Sequence, residues 1–165
     1  MTVALLFETD LEHQIITSLR TWLGTPYLHQ ASVKGVGCDC LGLVRGVWRD
    51  VYKCEPELTP PYTPDWAESG QQEQLANAAS RHMKLVDNKR FQSGDLLIFR
   101  WRKHLPAKHL AIVSSLTTMI HAQEGVAVCE VAISPWWKRH IAYVFRFPET
   151  PIFMKTSSKQ KGKSI

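Results

Sequence analysis

The residues most suited to chemistry lie in the run Gly37-Cys38-Asp39-Cys40-Leu41-Gly42-Leu43-Val44. A glycine-containing loop delivers a cysteine to the start of a helix. There the unpaired backbone N–H groups and the positive end of the macrodipole favour a thiolate, the nucleophilic form of the side chain. Cys38 and Cys40 compete for that role, and the dipole argument favours Cys40, which sits inside the first turn. Asp39 is placed to cap the helix with its carboxylate. A carboxylate beside a thiol raises the thiol pKa, so Asp39 is expected to turn away from the sulfur, free to meet a cation such as a substrate ammonium. Cys54, just past a helix end, and Cys129, alternating with Val128 and Val131, read as small buried hydrophobes.

A nucleophilic thiol needs a base, and imidazole is the usual partner. Of the seven histidines, His109 opens the apolar segment His109-Leu110-Ala111-Ile112-Val113, and His121 stands in the following segment Met119-Ile120-His121-Ala122. If these segments form a tight hairpin turning near Ser115–Leu116, the two rings stand on adjacent strands. His109 as base and His121 as its orienting partner then complete a Cys–His–polar triad, with the thiol pKa expected to fall to about 4–6. Tyr27, thirteen residues before Cys40, is a loop hydroxyl able to donate to a developing oxyanion, beside the Cys40 backbone N–H. Asp95, after Gly94, reads as a turn-fixing side chain. A zinc site from Cys38, Cys40, His109 and His121 is disfavoured, because Cys-x-Cys is tighter than the usual ligand spacing and no paired histidines follow. No metal or organic cofactor is expected.

The elements that must position these groups are helical first and extended later. Residues 9–23 read as a helix, with Thr9 and Glu12 at capping-box spacing and Leu11, Ile15, Leu19 and Trp22 on one stripe. Gly24 is the natural stop. A second helix is expected from about Asp39 to Tyr52, burying Val44, Val47, Trp48 and Val51. Residues 55–64 carry four prolines and read as a stiff surface connection. Asp65 is expected to cap a polar helix reaching about Met83. Five short segments rich in Val, Ile and Phe follow: 95–100, 109–114, 118–122, 126–131 and 141–147. Their turn-like separators describe an antiparallel meander. The expected class is α+β, with helices on one side of a central antiparallel sheet or half-barrel.

A chain of 165 residues that is 44% hydrophobic and 21% charged matches one globular domain, placed at 1–150, without need of a disulfide framework. No apolar run is long enough to span a bilayer, and the first ten residues lack the charged opening of a secretory signal. No membrane partner is expected, and synthesis in the cytoplasm is. Of the net charge of +5, four units are the lysines at 155, 159, 161 and 163. Residues 151–165 therefore read as a basic, disordered tail on a nearly neutral body. With no basic helix bearing interleaved aromatics in evidence, nucleic acid is not an expected partner. Trp136-Trp137-Lys138-Arg139 reads as packing, or alternatively as a docking patch.

In order, these motifs resemble the NlpC family of papain-like bacterial cell-wall peptidases. The likeness runs from Trp22-Leu23-Gly24-Thr25-Pro26-Tyr27 through the Cys40 run, Ser93-Gly94-Asp95-Leu96-Leu97 and the two histidine segments, over about residues 10–147. The resemblance implies Cys40 as nucleophile, His109 as base, His121 as orienting residue, Tyr27 lining the site and Asp39 meeting a substrate amine. It implies a papain-like α+β fold and hydrolysis of peptidoglycan stem peptides at the γ-D-glutamyl–diamino acid bond. Leu41 replaces the serine that many members carry there, and His29-Gln30-Ala31 replaces a common Trp-Gly-Gly. The segments Trp22–Ser32, Gly35–Cys40 and Pro135-Trp136-Trp137 further resemble peptidases of phages and gene transfer agents. That likeness implies a tail or hub partner and action in the periplasm or cell wall as part of a virion-like particle. The alternative function is an inactive tail-assembly or adaptor protein on the same fold. A cysteine amidase or acyltransferase acting on other amides is the third reading.

Overall fold

The computed structural model describes residues 3–63 and 72–151. The first helix, α1, spans Val3–Thr21. Thr9 therefore lies inside it and does not cap it, because the helix-favouring run Ala4-Leu5-Leu6 continues the helix toward the N-terminus. Ile15, Leu19 and Trp22 are buried as the stripe requires, and Gly24 ends the segment at φ +82°. A two-stranded ribbon follows, β1 (Ser32–Val33) paired with β2 (Gly37–Cys38). It leads directly into α2 (Cys40–Tyr52), which buries Leu43, Val44, Val47, Trp48 and Tyr52.

Helix α3 (Gln74–His82) covers the end of the expected polar helix. The start proposed at Asp65 lies outside the described residues, as do residues 152–165 of the tail. Strand β3 (Lys84–Val86) follows, then β4 (Leu96–Phe99), β5 (His109–Ser115), β6 (Thr118–Gln123) and β7 (Val126–Ala132). A short helix, α4 (Pro135–His140), precedes β8 (Ile141–Arg146). The strands form one six-stranded antiparallel sheet in the order β3-β8-β4-β5-β6-β7. The predicted α+β class and the five predicted strands are present. Strand β3, the ribbon β1–β2 and α4 are additions too short for periodicity to reveal.

Alternation divides the core in two. Leu96, Ile98, Leu110, Ile112 and Ile120 face α1 and α2. Leu97, Phe99, Ala111, Val113, Met119 and Val144 face away from them, into a second cluster closed by Ile133, Trp101 and Trp137. The sheet is thus covered on both faces, which is why β4 reads as an unbroken apolar run, all four residues buried. The two helices meet where Gly46 of α2 lies against the Trp22 ring, so close that a Cβ there would fall 2.0 Å from Cζ2. Asp95, buried at the entrance to β4, takes two hydrogen bonds from Arg146, both 2.9 Å, and one from the Gln92 N–H. It ties β8 to the turn that starts β4.

Candidate active site

The loop that carries the cysteine is shaped by backbone pairing. Cys38 N–H donates to Pro26 O at 3.0 Å and Leu28 N–H to Cys38 O at 3.1 Å, setting Tyr27 alongside β2. The chain then enters α2 at Asp39, the N-cap, whose Oδ1 accepts from Gly42 N–H at 2.7 Å. Only glycine fits at 42, since a Cβ there would meet Ala31 O at 1.9 Å. Cys40 is the first residue of α2.

Asp39 is buried, and its carboxylate is fully engaged. Besides Gly42, it accepts from Gln30 N–H at 2.8 Å and from the Tyr62 hydroxyl at 2.5 Å. His29 Nδ1 stands 3.7 Å from Oδ2. The capping role read from the sequence is present, whereas the carboxylate expected to be open for a cation is filled by protein donors. Tyr62 is the residue that sequence reasoning missed. Over its described residues, 55–63, the proline-rich segment runs along the surface as read, and at Tyr62 it also forms a strap across this loop. Its Tyr62 carbonyl is also held, accepting from Gln30 Nε2 and lying 2.9 Å from His29 Nε2. An aromatic residue between prolines, Pro61-Tyr62-Thr63-Pro64, was the available signal.

His109 and His121 are brought together as the hairpin register predicted. Strands β5 and β6 pair Ile112 with Ile120 and Val113 with Met119, and His109 Nε2 lies 2.8 Å from His121 Nδ1. Both rings are buried. His109 pairs across the ladder with Phe99 and shares its face. Its ring is stacked against Trp101 at 5.5 Å and Trp137 at 5.9 Å between centroids. Trp137 also meets His121 edge-on at 5.4 Å.

Cys40 reaches the start of β5 from the helix side. Its Sγ lies 4.0 Å from Lys108 O, and the Leu110 backbone N–H also faces it. The thiol is therefore set against the two residues that flank His109 in the chain. Among the described residues, no hydrogen bond joins Sγ to either imidazole nitrogen, and His109 Nδ1 has no hydrogen-bond partner.

Electrostatics correct one expectation. The Cys40 thiol is pushed up to about 12, by burial first and by the Asp39 charge second, outweighing the backbone N–H groups of the helix start. Burial, then His121, pulls His109 down to about 3, and burial lowers His121 as well. At neutral pH the free protein holds a neutral thiol and neutral imidazoles, not the depressed thiolate predicted from the helix dipole. The dipole contributes at most a kcal/mol or two, and desolvation of a buried anion is larger. Tyr27, half-buried, is raised to about 12 by burial and by Cys40 and Asp39, and stays a neutral donor.

A cavity of about 370 Å³ opens beside the site. Leu41 and Leu110, the neighbours of Cys40 and His109, form one wall with Val44 and Trp48, while Tyr62 and Arg45 line the side toward Asp39. Among the described residues, no group of three or more His, Cys, Asp or Glu side chains is arranged to hold a metal ion.

Several solved structures share this fold. The NlpC/P60 domain of the peptidoglycan hydrolase SagA superposes with a TM-score of 0.57 at 20% identity, covering 82% of this chain and 98% of that one. An NlpC/P60 family protein from Bacillus cereus gives 0.58 at 20% identity, over 82% of this chain and 40% of that protein. The peptidoglycan hydrolase RipB of Mycobacterium tuberculosis gives 0.51 at 20% identity, over 84% and 65%. This chain therefore spans nearly the whole SagA domain but less than half of the Bacillus cereus protein. Among curated proteins, no sequence matches this chain. The sequence model of the NlpC/P60 family matches residues 24–146, about three quarters of the chain, from the Tyr27 loop through α2 to β8, and the chain belongs to the NlpC/P60 family.

Proposed function

We propose that this protein is a cysteine peptidase that hydrolyses the stem peptides of peptidoglycan, at the bond between γ-linked D-glutamate and the diamino acid. The observation that carries the reading is the His109–His121 contact of 2.8 Å, set at the end of β5 where the first residue of α2 presents a thiol. Buried paired imidazoles are costly unless their polar atoms are used. The SagA domain and RipB, which share the fold, are peptidoglycan hydrolases by name.

The neutral resting state sets the order of events. In the productive tautomer His109 Nε2–H donates to His121 Nδ1, which leaves the His109 Nδ1 lone pair to take a proton. Substrate binds where the start of α2 meets the start of β5, and the Cys40 proton moves to His109 Nδ1 as sulfur attacks the amide carbonyl. The imidazolium is stabilised through Nε2–H by His121. The Cys40 backbone N–H and the neutral Tyr27 hydroxyl receive the oxyanion. His109 then returns the proton to the leaving amine, and water hydrolyses the thioester. No step requires a metal or organic cofactor. Asp39 meets a substrate amine only if Tyr62 swings aside, so the strap and the amine compete for one carboxylate.

The particle reading is part of the same proposal. The likeness of Trp22–Ser32 and Pro135-Trp136-Trp137 to phage and gene-transfer-agent peptidases supports carriage on a tail or hub protein. Action then falls in the periplasm or wall during DNA delivery.

The test is incubation of the protein with purified peptidoglycan, followed by mass spectrometry of soluble products. Wild type should release muropeptide fragments with new termini at the γ-D-glutamyl bond, and Cys40→Ala and His109→Ala should release none. If wild type releases nothing that Cys40→Ala does not, the assignment is overturned in favour of the inactive adaptor.

A further inference from the structure

The sequence shows no obvious basic helix with interleaved aromatics, yet the fold builds one. Helix α4 is Pro-Trp-Trp-Lys-Arg-His, capped by Ser134 and exposed along its length at Trp136, Lys138 and Arg139. The Trp136 ring is 46% exposed and stacks on His140 at 4.0 Å between centroids. The Arg100 N–H donates to His140 O at 2.9 Å. That bond sets α4 beside the loop 100–108, where Trp101 lies 5.8 Å from Trp136. Arg102 and Lys103 in that loop are exposed. Neither segment, 100–108 or 134–140, contains an aspartate or glutamate. Among the described residues, Arg102, Lys103, Lys138 and Arg139 have no ion-pair partner. The result is a surface of exposed indole bordered by four uncompensated cations.

This surface is continuous with the proposed site. Trp101 stacks on the His109 ring, and Trp136 packs edge-on against Trp137 at 5.1 Å, which itself touches both histidines. A molecule lying across Trp101 and Trp136 is one aromatic ring away from the imidazole.

We propose that this basic, aromatic surface docks the glycan strand of the peptidoglycan whose stem peptide enters the site, an inference that rests on the peptidase reading above. The chemistry of that polymer fits. A pyranose ring presents a face of C–H groups that packs on the electron-rich face of an indole. The peptides hanging from the strand bring carboxylates, which pair with Arg and Lys side chains. The glycan is covalently tied to the stem peptide, so when the scissile amide is at Cys40 the sugar must lie over a flanking surface. Two aromatics contribute at low entropic cost and the cations contribute a salt-sensitive attraction.

The experiment uses insoluble peptidoglycan sacculi and the full chain carrying Cys40→Ala, so that nothing is cleaved during binding. Lys138→Glu with Arg139→Glu should weaken co-sedimentation at least tenfold at low salt, and Trp136→Ala should weaken it several-fold, with circular dichroism and melting unchanged in the charge variant. With Cys40 intact, the charge variant should lose fragment release from sacculi while cleaving a short soluble stem peptide at the wild-type rate. Wild-type binding by the charge variant would overturn the proposal, and so would equal loss on sacculi and on the short peptide. Tighter, variant-sensitive binding to a single-stranded oligonucleotide than to sacculi would overturn it in favour of nucleic acid. Variant-sensitive binding to sacculi by a protein that cleaves neither substrate would uphold the surface and refute the peptidase.

Discussion

Asp39 holds three elements with one carboxylate, and replacing it separates structural from electrostatic roles. Asp39→Ala removes the α2 cap at Gly42, costing about 1 kcal/mol. It also strands the Gln30 N–H, which now reaches Oδ2 at 2.8 Å, at the lower end of the roughly 1–3 kcal/mol charged to an orphaned donor. Gln30 sits at φ +63°, a left-handed conformation that the lost bond helps to maintain. The sum is about 2–3 kcal/mol, or a melting temperature lower by about 5–10 °C for a chain of this size. Asp39→Asn keeps an oxygen for Gly42 but turns an NH₂ toward Gln30, and should cost about 1 kcal/mol. The charge effect runs the other way. Asp39 raises the Cys40 thiol, so both variants must lower that pKa and increase the thiolate fraction at any alkaline pH. Thermal melts supply the first quantity. The second comes from the pH dependence of iodoacetamide labelling, with Cys40 mapped by mass spectrometry. A melting temperature within 1 °C of wild type for Asp39→Ala, together with an unshifted or upward-shifted labelling profile, would refute the account of this carboxylate.

Two further outcomes follow from the same geometry. Because burial lowers His109 to about 3 and lowers His121 too, the unfolded chain binds more protons than the folded one as pH falls below the ordinary histidine value of about 6.5. Stability should therefore decline from about pH 6.5 downward, by up to about 1.4 kcal/mol per pH unit for each ring, before the carboxylates titrate. Replacing both histidines by glutamine should flatten melting temperature against pH between 6.5 and 5, and an unchanged slope would contradict their buried neutral state. Gly46→Ala gains helix propensity of about 1 kcal/mol but drives a methyl into the Trp22 ring, 2.0 Å from Cζ2. Overpacking of about 1–3 kcal/mol or more should win, and denaturant melts that show a stabilised variant would mean that α1 shifts freely against α2.

Much of the arrangement was legible locally. Helix α2, its Asp39 cap and the placement of Cys40 depend on contacts within four residues, and the β5–β6 register follows from a tight turn and the period of two. The His109–His121 pair was readable for that reason. The extent of α1 is not local in this way, because the capping pattern at Thr9 does not outweigh the helix-favouring residues before it.

The remaining features depend on residues far apart in the chain, which no local pattern encodes. Tyr62 reaches Asp39 across 23 positions, and the Trp101 and Trp137 rings enclose His109 from separate segments. The protonation state is the sharpest case. A helix start favours a thiolate by a local dipole, but desolvation depends on what the rest of the molecule packs around the sulfur, and here that burial is the larger effect. Residue order thus determined which groups meet. Packing from distant segments determined that they rest uncharged, with the capping carboxylate already occupied.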